Sequence, residues 1–395
     1  MAALLSDLLD VLERAYPARL AEPWDTGIGL TCGDPEQPVA AVLLAVDVDA
    51  VVVDEAVEQG ADVLVTHHPL LFRPVQSVAA DTARGGLVHR LIRAGIAHVA
   101  AHTNADRAGG DVRGVNDALA AALGLLDLRP LVAADAEPLD KIVTFVPVGG
   151  TPPLTDALAA AGAGRIGNYT EAAFTSDGTG QFRPGPGSNP TIGAVGALEH
   201  VPETRIEMVA PRRLRAAVVA ALRAAHPYEE PAFDVWESAS VPDPVRGLGR
   251  VGHLSAPMRL REFAELVAQR LPATVGGVLA GGDPERLVRT VAVCGGAGDG
   301  ELDAATMAGA DVYLTSDLRH HVAAEHLADP ARPALVQVAH WAGEWPWLSE
   351  AARLISDELP GSVAVTVSTR CTDPWTVQVP SPTRAPIQAR SSPWH

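Results

Sequence analysis

Two adjacent histidines close an apolar run in Val63-Leu64-Val65-Thr66-His67-His68-Pro69, and a second run, Leu335-Val336-Gln337-Val338-Ala339, leads into His340 and Glu344. Imidazole and carboxylate groups offered from strand ends and the loops beyond them hold divalent metals. A spacing of four residues lets His340 and Glu344 converge if the segment coils as one helical turn. Each piece read alone also has a bland meaning. A histidine pair can merely terminate a strand, Asp106 in the turn-rich Thr103-Asn104-Ala105-Asp106 can cap or form an Asx turn, and His340 can open a solvated helix. Metal chemistry is the hypothesis that joins them.

Alternating strand and helix signals position these residues. Leu43 to Asp47 reads as a buried strand, Ala50 to Glu58 as helix, Asp62 to Thr66 as strand, Thr82 to Ala94 as helix, and Gly95 to His102 supplies the next short strand. This is a layered α/β pattern, in which ligands collect beyond strand ends. The texture changes over residues 139–240: a strand at Lys141 to Pro147, a helix over 151–161, a Gly- and Pro-rich loop from Ser176 to Pro190, then Ile206 to Val209, a helix from Arg212 to Ala225, and Pro231 to Val235. That β-α-β and β-α-β order predicts a ferredoxin-like α+β domain. The expected organisation is therefore a metal-carrying α/β domain in two parts, 1–138 and 241–373, split by an insertion at 139–240. Residues 374–395, with five prolines and several serines, read as a mobile tail.

The chain has 395 residues, 47% of them hydrophobic, enough for a full core and for two or three domains. Its 30 basic against 48 acidic residues give a net charge of -18, which argues against nucleic acid or an anionic membrane as partner. Three cysteines, Cys32, Cys294 and Cys371, without CxxC spacing, do not make a disulfide scaffold. An acidic amphipathic start rather than a basic leader, and no apolar run of about 20 residues, make cytoplasmic residence the default. The glycines of 178–187 lack a P-loop pattern, and those of 295–300 lack the Rossmann fingerprint, although backbone N–H groups in the latter loop can contact phosphate.

Several separated segments together resemble the family of GTP cyclohydrolase 1 type 2 homologues, also called NIF-three or YbgI-like. They are Trp24-Asp25-Thr26-Gly27-Ile28-Gly29-Leu30, Thr66 to Pro69, Ala101 to Asp106, Asp311 to Asp317 followed by His320-His321, and Ala339 to Glu344. The resemblance spans nearly all of residues 1–375 and implies a dinuclear metal centre. His67 and His68 would then be ligands to different ions, Asp106 a ligand to one, His340 to the other, and Glu344 the bridging carboxylate. His102, Asp317 and His321 would orient ligands or move protons. The implied cofactor is a pair of divalent ions, zinc first, with manganese or iron as alternatives, and the implied chemistry is hydrolysis by an activated water. Thr26 replaces a common asparagine, and Ser316 stands where glycine is frequent and is expected to keep an ordinary dihedral.

His226-Pro227-Tyr228-Glu229-Glu230-Pro231-Ala232-Phe233 resembles a segment of longer members, whose extra domain is PII- and CutA-like. The resemblance implies a homohexamer, a trimer of dimers. Two functions follow as expectations: a dinuclear-metal hydrolase of a small phosphorylated or nucleotide-like metabolite, or a non-catalytic assembly that binds, carries or senses metal and recruits a protein partner.

Overall fold

The computed structural model describes residues 3–379. Most of the tail expected at 374–395 lies outside the described residues, and residues 374–379 carry no helix or strand. The chain divides into two compact units, Met1–Ala134 with Asp243–His395, and Asp135–Pro242.

The first unit contains a five-stranded sheet in the order Ala364–Val367, Ala41–Ala45, Val63–Thr66, Ala97–Ala100 and Gly29–Cys32. Its first four strands run parallel, and Gly29–Cys32 closes the edge antiparallel. Both faces are covered, which is why these strands read as unbroken apolar runs rather than alternating ones. Val42, Leu44, Val63 and Val65 pack on one side with Leu5, Leu8 and Leu12 from helix Leu5–Ala15 and with Trp347, Leu348, Ala351 and Ile355 from helix Pro346–Glu358. Leu43 and Leu64 point the other way, against Val52, Val53 and Ala56 of helix Ala50–Glu58 and Val88 and Leu91 of helix Ala83–Ala94. The first helix of the chain and the last thus cover one face, so neither outer segment completes this core alone.

A six-stranded sheet follows the order Leu279–Gly281, Ala334–Gln337, Val312–Ser316, Leu287–Ala297, Pro242–Arg259 and Leu126–Asp135. Its central three strands are parallel. In both sheets the parallel strands end at chemistry-bearing residues: Asp47, His67 and His102 follow strands of the first, Asp317 and His340 strands of the second.

In the second unit, Leu139–Pro147, helix Thr151–Ala160, Ala173–Phe182, Glu199–Pro211, helix Arg215–Ala225 and Phe233–Glu237 follow one another as βαββαβ. The antiparallel order is Phe233–Glu237, Leu139–Pro147, Glu199–Pro211, Ala173–Phe182, the ferredoxin-like arrangement. One expectation is corrected here: residues 176–182, read as loop, form most of an edge strand paired with Glu199–Pro211. The strand is largely exposed and its middle, Thr175 to Gln181, is polar or glycine throughout, so it carries no apolar alternation for a sequence reading to detect. Among the described residues no helix is long and apolar enough to cross a membrane.

Candidate metal centre

His67 and His68 stand immediately beyond strand Val63–Thr66. The strand register fixes their directions: His67 is completely buried, while the His68 side chain is 17% exposed. Helix His340–Glu344 begins after strand Ala334–Gln337, and its single turn brings His340 Nε2 to 2.9 Å from Glu344 Oε1. Across the cleft, His67 Nε2 lies 3.3 Å from the same Oε1, and His68 Nε2 lies 3.1 Å from Oε2. Asp106, on the short helix Thr103–Asp106, places Oδ1 3.6 Å from His67 Nε2. Residues separated by more than 270 positions thereby share one carboxylate.

Four imidazoles have their δ nitrogens committed elsewhere. His67 donates from Nδ1 to the Ala101 carbonyl at 2.9 Å, and His68 to Asp47 Oδ1 at 2.6 Å. His102 donates to Asp25 Oδ2 at 2.9 Å, and His340 to Asp317 Oδ2 at 2.6 Å. Such bonds fix the tautomer and present each Nε2 lone pair to a shared space, as ligating histidines require. His98, one strand over, is different. Thr66 Oγ1 gives its only proton to the His68 carbonyl at 2.6 Å and so accepts from His98 Nε2 at 2.8 Å. That ring is a buried strut held neutral, its pKa lowered by burial to about 4.

The charges of the cluster need a cation. Asp106 and Glu344 are buried carboxylates, and His67 Nε2, Asp106 Oδ1 and Glu344 Oε2 are buried with no hydrogen-bond partner among the described residues. Burial raises the Asp106 carboxyl, whereas Glu344, although burial opposes its charge, is held well below the usual range by His68, His67 and His340. The histidines answer in kind. Burial works against charge on His68 and His340, yet Glu344 with Asp47 or Asp317 outweighs it, pushing them up to about 10 and about 11. Without metal, protons take the place of cations. Two sets of donor atoms lie within 4.8 Å of one another, His67 with His68 and His102, and His68 with His340 and Glu344. This donor set fits two adjacent divalent ions, and its nitrogen and oxygen donors without sulfur suit zinc, manganese or iron.

His67, His68, Asp106, His340 and Glu344 are thus brought together. His102 reaches the same cluster as a fourth imidazole, and Asp317 reaches it through His340. His321 is not brought in: it lies exposed in helix His320–Leu327 with its ring 5.2 Å from that of His320. Positive φ falls on Asp317, at 54°, rather than on Ser316, so the serine keeps an ordinary dihedral. Four contributors had no role in the sequence reading. Asp25 and Asp47 orient His102 and His68; Asp47, at the end of an apolar run just as His67 is, was visible by position. Buried Asn116 donates to the Asp106 carbonyl at 2.9 Å and accepts from Gly295 N at 2.8 Å, tying the short helix that carries Asp106 to a strand of the six-stranded sheet. Gly296 has φ +72°, and a Cβ there would lie 2.6 Å from Glu344 Oε1. Gly296 therefore makes room for the side chains of Glu344 and His340.

Beside the cluster lies a cavity of about 680 Å³ lined by His68, His102, Asp317 and His340, and by Phe72, Arg84 and Trp375.

Comparison with known proteins covers nearly the whole chain. The Duf34/NIF3 (NGG1p interacting factor 3) family matches residues 3–374. A Mycobacterium tuberculosis protein named "GTP cyclohydrolase 1 type 2 homolog" is 51% identical over 379 residues, 95% of this chain and 97% of its own. A Streptomyces coelicolor protein of the same name is 37% identical, with 95% of each chain covered. Among solved structures, a Bacillus cereus protein related to NIF3 superposes with a TM-score of 0.77 at 38% identity, covering 96% of this chain and all of that one. A Staphylococcus aureus protein reaches 0.79 at 27% identity, covering 95% and 99%. The chain belongs to the Duf34/NIF3 family.

Proposed function

We propose that this chain is a dinuclear-metal hydrolase acting on a small phosphorylated or nucleotide-like metabolite. The observation that carries the reading is Glu344: its two oxygens face different histidines, His67 and His340 at Oε1 and His68 at Oε2, beside a cavity of substrate size. His67, His68, His102, Asp106, His340 and Glu344 would hold the ions, with Glu344 between them. Bound divalent ions supply Lewis acidity and lower the pKa of water. The chain's own residues do the rest. Asp25 and Asp317 hold His102 and His340 in one orientation, Phe72 and Trp375 offer flat apolar walls, and Arg84, without an ion pair among the described residues, offers a guanidinium to an anionic group.

The relatives' name suggests GTP as a first substrate. Zinc-, manganese- and iron-loaded protein incubated with GTP and related nucleotides should give a product detected by mass spectrometry and absent from the Glu344→Gln variant. No product above that control with any nucleotide would remove the nucleotide hydrolase reading and leave a metal-binding or metal-carrying role.

The βαββαβ order of Asp135–Pro242 supports a PII- or CutA-like insertion, and with it a homohexamer in which threefold contacts of the insertion combine with twofold contacts of the outer unit. Closed operators of that kind give about six chains per particle by light scattering.

A further inference from the structure

The inserted unit holds a second cavity, of about 600 Å³, on the sheet face opposite its helices. Strand alternation explains the location: Ile206 and Met208 point into the helix-covered core, while Glu203 and Arg205 point to the other face, where residues 184–192 and Tyr228 to Glu230 wall the space. Phe145, Phe182 and Tyr228 supply aromatic surface, with the Phe182 and Tyr228 rings edge-to-face at 5.7 Å. His226 pins this wall. It donates from Nε2 to the Phe145 carbonyl at 2.9 Å and accepts at Nδ1 from Tyr228 N at 3.1 Å, so both nitrogens are used and neither is free for a metal.

Glu203 is the unusual member. Only 8% exposed, it accepts from the Tyr228 hydroxyl at Oε1, 2.8 Å away, while Oε2 takes no hydrogen bond among the described residues. Its carboxylate lies across Gly180, where an added Cβ would come within 2.0 Å of Oε2. Glu203 lines the cavity with that oxygen unpaired, where a donor or cation can meet it. Asp177, Glu229 and Glu230 add negative charge to the lining against a single guanidinium, Arg205, itself tied to Glu207 at 2.7 Å. That charge disfavours an anion. A divalent metal would need several converging oxygens, and among the described residues none of the metal-ligand clusters lies in this unit. Aromatic faces beside an acidic lining suit an organic cation instead.

We propose that this cavity binds an alkylammonium or guanidinium group carried on an apolar body, with Glu203 as its anchoring carboxylate and Phe182 and Tyr228 as its walls. The test uses the full-length, metal-loaded protein with benzylammonium as probe and benzyl alcohol as its neutral analogue, read by calorimetry and ligand-observed NMR. Benzylammonium should bind saturably and benzyl alcohol much more weakly. Glu203→Gln should weaken the probe ~10-fold or more by removing a charge-assisted bond. Phe182→Ala, which keeps the carboxylate, should also weaken it and decides the matter if Glu203→Gln does not fold. Absence of saturable binding, equal binding of the alcohol, displacement by millimolar magnesium, or unchanged affinity in Phe182→Ala and in a folded Glu203→Gln would each overturn the proposal.

Discussion

Nδ1 of His68 donates to Oδ1 of Asp47 at 2.6 Å, and the opposite nitrogen of the same ring lies 3.1 Å from Glu344 Oε2. The aspartate therefore sets both the tautomer of this ring and the direction of the nitrogen it offers to the candidate metal centre. Thr372 hydrogen-bonds the other oxygen of Asp47, so the chain's return past the last strand braces the same group. Asp47→Asn should lower metal affinity about 10–100-fold while leaving the fold intact. Competition against a chromophoric chelator measures it, and unchanged affinity would mean that Asp47 does not orient the ligand.

Glu344→Gln keeps the shape of the bridging side chain and removes its charge from between two cations. Metal content should drop, with the more weakly held ion lost first. Elemental analysis after gel filtration decides, since a variant retaining both ions at wild-type affinity is incompatible with a bridging role.

Metal binding should release protons. His68 and His340 have metal-free pKa values raised from 6.5 to about 10 and about 11, so near pH 8 both carry protons that a cation must displace. Affinity should accordingly rise with pH toward that range, with about two protons released from this pair. In the metal-free protein the sign is opposite. A raised pKa contributes stability that is complete below pH 6.5 and is lost as pH climbs through 10 to 11, so metal-free protein should weaken at alkaline pH. Calorimetric titrations in buffers of different ionisation enthalpy count the protons; a count near zero would contradict the charge state described.

Gly296→Ala should damage the centre in two ways. Its φ of +72° is unfavourable for alanine by roughly 1–2 kcal/mol, and the new methyl would meet Glu344 Oε1 at 2.6 Å and His340 Nε2 at 3.2 Å. Lower thermal stability together with lost metal is expected. Loss of stability with full metal content would locate the damage in the backbone alone.

Asn116→Ala should leave the Gly295 N–H and the Asp106 carbonyl without their partner in a buried place, at a cost of about 1–3 kcal/mol per unsatisfied group. Denaturant melts of metal-free protein read this directly, and a change within error would show that the bridge between this helix and strand is not structural.

The sequence alone determined the kinds of element and the kinds of chemistry. Apolar runs buried on two faces marked the parallel strands, the change in texture marked a ferredoxin-like segment within the chain, and His67, His68, His340 and Glu344 stood out because they follow apolar runs, whereas Asp106 and the joint ligand set rested on the family resemblance. These are local properties of residue type and spacing, and they survive in one dimension. Tertiary structure decided which residues meet. His321 looks as suitable as His102 in a string of letters, but one follows a strand into the cluster and the other lies exposed on a helix. Asp25, Asp47 and Asn116 acquire their roles only when the first and last helices close over one sheet face and bring both outer segments' strand ends together. Gly296 is the plainest instance. Nothing in Gly295-Gly296-Ala297-Gly298 separates a phosphate loop from a clearance for side chains until Glu344, 48 positions later in the numbering, folds against it. Spacing along a chain constrains helices and strands, whereas the space left for a Cβ depends on every chain segment that packs there.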